Sequence, residues 1–107
     1  MPRPPKFAII YAPETIDHLN AVERKYHRLI RTTIKEQLSH TPDQITRKRK
    51  LLDPPMPFGA TWELRFGRQN RFRVFYEIDS EALAVSVLAV GIKEGNRLFI
   101  GREEFTP

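Results

Sequence analysis

Between positions 62 and 78 (WELRFGRQNRFRVFYEI), apolar and polar side chains alternate twice, with a break between the two runs. Trp62, Leu64 and Phe66 alternate with Glu63 and Arg65, and Phe72, Val74, Tyr76 and Ile78 alternate with Arg73, Phe75 and Glu77. A period of two predicts strands, and two such runs joined by a turn at 67–71 predict a β-hairpin. Successive strand side chains point to opposite faces, so apolar must meet apolar across the pair. Phe66 then faces Phe72, Leu64 faces Val74 and Trp62 faces Tyr76. The same register sets Arg65 opposite Arg73. Like charges directly across a strand pair cost a few tenths to ~1 kcal/mol, so a sheet with this register invites an anion between them.

The pattern continues on both sides. Residues 83–90 (LAVSVLAV) predict a further strand after a turn at 79–82, with Ile78 on Leu83, Tyr76 on Val85, Val74 on Val87 and Phe72 on Ala89. One face is then continuously apolar. The other carries Glu63, Arg65, Arg71, Arg73 and Glu77 among Phe75, Ser86, Leu88 and Val90, and Gly91 ends the strand. Upstream, 6–11 (KFAIIY) has the length and composition of a strand. Ile16, Leu19, Val22, Tyr26, Leu29, Ile30, Ile34 and Leu38 recur at spacings of three and four behind Pro13, which predicts one long amphipathic helix or two in series with a break near 21–27. Residues 40–60, with four prolines and the basic run Arg47, Lys48, Arg49, Lys50, predict a long loop, either a binding element or a solvated connector. Residues 92–105 carry no pattern that assigns an element. The expected fold is α+β, an N-terminal strand and one or two helices packed on an antiparallel β-meander.

Composition narrows the function classes. A chain of 107 residues is expected to form a single domain over 1–107. Eighteen Lys and Arg against thirteen Asp and Glu leave a net charge of +5, which suits polyanionic partners such as nucleic acid or an acidic protein. The whole excess lies in residues 1–53, so the arginines of the second half signal by position rather than number. Cysteine is absent, which excludes disulfides, thiolate zinc sites and cysteine nucleophiles and fits a reducing compartment, by default the cytoplasm. No apolar run approaches the ~18 residues of a membrane span, so no membrane association is expected. His18, His27 and His40 show no metal-ligand spacing, and neither a metal nor a cofactor is expected.

Residues 62–79 (WELRFGRQNRFRVFYEID) and 88–93 (LAVGIK), in an order of strand, helices, long loop and meander, resemble the RelE/ParE toxins of bacterial toxin-antitoxin modules, which are similar in fold to small microbial ribonucleases. In the RelE branch the toxin enters the ribosomal A site and cuts mRNA by attack of a ribose 2′-hydroxyl on the adjacent phosphate. The resemblance implies that Arg73 stabilises charge on the scissile phosphate, with Arg65 and Lys93 as further basic groups of the site. Arg71, Phe75 and the run Arg47, Lys48, Arg49 and Lys50 are candidate RNA contacts, Phe75 by stacking on a base. Two positions depart from RelE: Glu63 stands where RelE has a lysine, and Phe99 stands where it has a tail tyrosine. Glu63 is either a general base or a neutralising partner of the two arginines. The resemblance implies a cognate antitoxin partner. It implies as activity an mRNA endoribonuclease that inhibits translation, with a non-enzymatic gyrase poison of the ParE type or a toxin that only binds its antitoxin as the alternatives.

Overall fold

A computed structural model describes residues 4–106. Among them, seven strands form one sheet. The chain runs β1 (Ala8–Tyr11), α1 (Thr15–Asn20), α2 (His27–Leu38), β2 (Arg49–Leu51), β3 (Trp62–Phe66), β4 (Phe72–Asp79), β5 (Ala84–Glu94), β6 (Arg97–Ile100) and β7 (Glu103–Phe105). The strand order is β2-β3-β4-β5-β6-β7, all antiparallel, and β1 adds in parallel to β5. β5 is the longest strand and serves two neighbours along one edge, β1 at Ala84 to Val87 and β6 at Gly91 to Glu94. The α+β architecture expected from the sequence is the one observed.

The helical stretch is two helices, separated by a 3-10 turn at Arg24–Tyr26. Glu23 takes an extended backbone (φ −52°, ψ 135°), which breaks the helical hydrogen-bond ladder without a proline or glycine. Ile30, Ile34 and Leu38 of α2 are fully buried, and Leu19 and Val22 join them, against Leu64, Phe66, Phe72, Val74, Tyr76, Val85 and Val87 of the sheet. Ile16 and Leu29, counted with the apolar stripe, are instead exposed.

The β3-β4 register is the predicted one, with Trp62 on Tyr76, Leu64 on Val74, Arg65 on Arg73 and Phe66 on Phe72. The β4-β5 register is not. Ile78 pairs with Val85 and Tyr76 with Val87, because the connecting turn takes in Leu83, which sits at φ 50° outside the ladder. A two-residue slip preserves the faces. A β-bulge opposite Phe75 and Tyr76 then inserts Leu88, so that Phe75 pairs with Ala89 and Val74 with Val90. The extra residue exchanges the two faces of β5 from that point on. Val90, expected among the polar residues, enters the core, and small Ala89 turns to the side where Phe75 needs room.

Gly91 does not end the strand, which runs on to Glu94. A Cβ at Gly91 would stand 2.9 Å from the Phe99 carbonyl oxygen and 3.1 Å from Leu98 Cδ1, so the glycine is what lets β6 lie close. The unassigned tail forms β6 and β7. The predicted loop at 40–60 contains the edge strand β2, and its remainder, with Met56, Phe58 and Ala60, crosses the face of the sheet opposite the helices.

Candidate nucleic-acid interface

On the face away from the helices, strand pairing gathers four charged side chains. Arg65 and Arg73 are direct partners across β3 and β4, Glu63 lies two residues before Arg65 on the same face, and Lys50 of β2 is the direct partner of Glu63. The Glu63 carboxylate joins them. Its Oε1 accepts from Arg65 Nε at 2.7 Å and lies 3.7 Å from Lys50 Nζ, and its Oε2 accepts from an Arg73 guanidinium nitrogen at 3.3 Å. Three cations around one carboxylate leave the cluster at +2. The repulsion expected between Arg65 and Arg73 is therefore offset from within the sheet.

Burial grades the cluster. Glu63 and Arg73 are 5% and 8% exposed, whereas the side chain of Arg65 is 32% exposed and that of Lys50 half exposed. Arg73 is held a second time, because its Nε donates to the Asn70 carbonyl oxygen at 2.8 Å. That carbonyl is aimed by a 3-10 turn in which Gln69 and Asn70 both have positive φ. Gly67 opens the turn at φ 82°, where a Cβ would stand 2.5 Å from the Phe72 ring. Arg73 is thus fixed at both ends of its guanidinium.

The other candidates divide. Lys93 follows Gly91, the β5 partner of Arg73, by two residues on the same face, and is half-buried. It lines a shallow hollow of about 350 Å³ with Arg68 and Arg71. Arg71 does not share the arginine face; its guanidinium carbon lies 5.3 Å from the Tyr26 ring centroid and 5.2 Å from that of Phe72, at the rim. Arg47, Lys48 and Lys50 are exposed on or beside β2, and the Lys48 carbonyl accepts from Arg65 N at 2.7 Å, which places this run next to the cluster.

Two further expectations, for Arg49 and Phe75, are corrected. Arg49 faces the core and is 6% exposed, its guanidinium donating to the carbonyls of Gln37, at 2.8 Å, and Thr41, so it ties the end of α2 to β2 rather than offering itself to RNA. Phe75 is 1% exposed beneath Phe58, whose ring packs edge-on at 5.9 Å, with Ala60 and Ala89 beside it; no base can stack there. Phe99 pairs with Ile92 while Gly91, the neighbour of Arg73, pairs with Ile100, so Phe99 points to the opposite face and does not hold a place in the cluster.

Lys50 was legible only as one charge in a basic run. Alternation within 49–51 is the signal that would have set it on the Glu63 face. Among the described residues no group of His, Asp and Glu is arranged to hold a metal. His18 Nδ1 accepts from Val90 N at 3.3 Å, between the stretches of β5 that pair with β1 and β6, and burial pushes its pKa below the ordinary value against the opposing pull of Asp17 and Glu14. His27 Nε2 lies 2.8 Å from the Val22 carbonyl oxygen. An apolar groove of about 550 Å³ between β1 and the helices, lined by Phe7, Ile9, Ile16 and Leu19 with Arg31 and Lys35, is separate from the cluster.

The arrangement sets a cationic cluster on a sheet of the RelE-like fold. A chain of the RelBE2 toxin-antitoxin complex from Mycobacterium tuberculosis superposes on it with a TM-score of 0.67 over 83% of this chain and 93% of that one, at 20% sequence identity. No family model matches the sequence. No curated protein matches it at the level of sequence. Among the described residues no helix is long and apolar enough to cross a membrane.

Proposed function

We propose that this chain is the toxin of a toxin-antitoxin pair and that it acts in the cytoplasm on RNA, as an mRNA endoribonuclease working at the ribosomal A site. The observation that carries the reading is Arg73, buried, fixed by the Asn70 carbonyl and set beside Arg65 on a rigid strand pair. Fixed cationic donors stabilise a pentacoordinate phosphate because they need no reorganisation as charge develops. Lys93 and Lys50 extend the cationic row onto β5 and β2, and Arg47, Lys48 and Arg71 flank it. The cognate antitoxin is an acidic protein whose carboxylates pair with the exposed members of this row.

The test is cleavage of message on translating ribosomes by the purified chain. Arg73→Ala should lower the rate about 10²–10³-fold, the size expected for loss of one fixed donor, with the protein still folded. Intact message with the unaltered chain rejects the reading. One observation favours a second reading. Both oxygens of Glu63 are engaged by arginines and the Phe99 ring carries no basic atom, so neither provides a free proton acceptor at the phosphate. A non-enzymatic toxin of the gyrase-poisoning kind needs none, and it would yield gyrase-dependent DNA cleavage complexes in cells while translation continues.

A further inference from the structure

We infer that Glu63 is a resident stand-in for phosphate: Arg65, Arg73 and Lys50 form an anion cradle that the chain closes with its own carboxylate. Each carboxylate oxygen takes a different guanidinium, Arg65 Nε at 2.7 Å and Arg73 at 3.3 Å, as two oxygens of one phosphate would. The position is built rather than adventitious. Glu63 is 5% exposed, and its strand neighbours fix where the carboxylate can reach. A phosphate entering between the arginines must therefore displace Glu63, and Lys50 supplies the place to go. It lies directly across the ladder, 3.7 Å from Oε1, with its side chain half exposed at the outer edge of the sheet. The carboxylate can rotate towards Lys50 and keep a cationic partner while the arginines pass to the incoming anion. Removing one partner of a buried pair leaves an uncompensated charge, so this hand-over, rather than simple release, is the low-cost way to open the site.

The inference deepens the RNA reading by stating what guards its phosphate site, yet it is tested without ribosomes. Inorganic phosphate is titrated into the full chain, into Glu63→Gln and into Glu63→Gln with Arg73→Ala, following heat of binding and melting temperature. Glu63→Gln should bind phosphate at least about tenfold more tightly than the unaltered chain, the scale of one charge-assisted hydrogen bond set free. Phosphate should also raise its melting temperature more. Adding Arg73→Ala should abolish the gain. Equal affinities, or a gain that survives Arg73→Ala, overturn the inference. If Glu63→Gln folds only in phosphate, the stand-in is supported directly; if it stays unfolded there, the carboxylate is a structural ion-pair partner that no anion replaces, and the inference fails. Gained binding with intact message rejects cleavage alone, whereas cleavage without gained binding rejects the stand-in alone.

Discussion

Arg47, Lys48, Arg49 and Lys50 are chemically alike, and the structure gives them three different tasks. Arg47 and Lys48 stay in solvent, Lys50 joins Glu63, and Arg49 turns inward to the carbonyls of Gln37 and Thr41. Replacing Arg49 by Ala leaves those carbonyls without their donor and opens a buried space. The expected loss is about 2–4 kcal/mol by chemical denaturation, against less than about 0.5 kcal/mol for Arg47→Ala or Lys48→Ala. A basic run reads as uniform because charge carries no facing direction; only the ladder with β3 supplies one. The arginine pair was legible for the same reason in reverse. Arg65 and Arg73 sit in runs whose apolar neighbours fix the register, so their meeting followed from the period alone. The carboxylate's reach to both could not be read, since it depends on side-chain torsions. For Phe75 the period gave the correct face, but nothing in it told that Phe58 and Ala60 would cover that face.

Among the elements, β5 departs most from its sequence pattern, and the bulge at Leu88 is the cause. Alternation in 83–90 is regular enough to suggest an unbroken strand, yet regular pairing would have pressed Val90 against the crowded side under Phe75 and left Ala89 in the core. The bulge is the local solution to side-chain volume, which hydropathy does not encode. Gly91 follows the same logic. Gly91→Ala would place a methyl 2.9 Å from the Phe99 carbonyl oxygen, so β6 must shift outward. Overpacking of this kind costs roughly 1–3 kcal/mol. Hydrogen exchange should quicken selectively in β6 and β7 while β3 and β4 keep their protection; uniform loss would mean that β5 itself has failed. The strand also has a pH signature, because the Val90 N–H, between the stretches of β5 that pair with β1 and β6, donates to neutral His18. With the folded pKa below the unfolded one, the protein prefers the neutral ring, so this contribution is present above the unfolded value and is lost as pH falls through the range below it. Stability should decline from pH 7 to pH 5 with a slope that lessens in His18→Gln, whose amide oxygen accepts the same N–H without titrating. An unchanged slope would place the pH dependence elsewhere.

At the scale of the whole molecule, folding rearranges the charge that the linear chain divides in two. The net excess belongs to residues 1–53, but β2 carries Lys50 from that half, with Arg47 and Lys48 beside it, against the arginines of β3 and β4. Position, not total, should then govern nucleic-acid binding, and salt dependence can separate the two. If Lys48 and Lys93 each meet a phosphate of single-stranded RNA and Arg65 with Arg73 holds a third, the logarithm of the binding constant falls with that of salt at a slope of about −2, from ~0.7 per phosphate neutralised. Lys48→Ala should reduce the slope by about 0.7. Arg97→Ala is the matched control: it removes the same unit of charge, but from β6, where Arg97 is exposed and its Nε donates to Glu104 Oε1 at 2.7 Å. Its slope should stay unchanged. Equal reductions in both variants would mean that RNA responds only to the net +5, and the row of cations across β2 to β5 would lose its claim to be the binding surface.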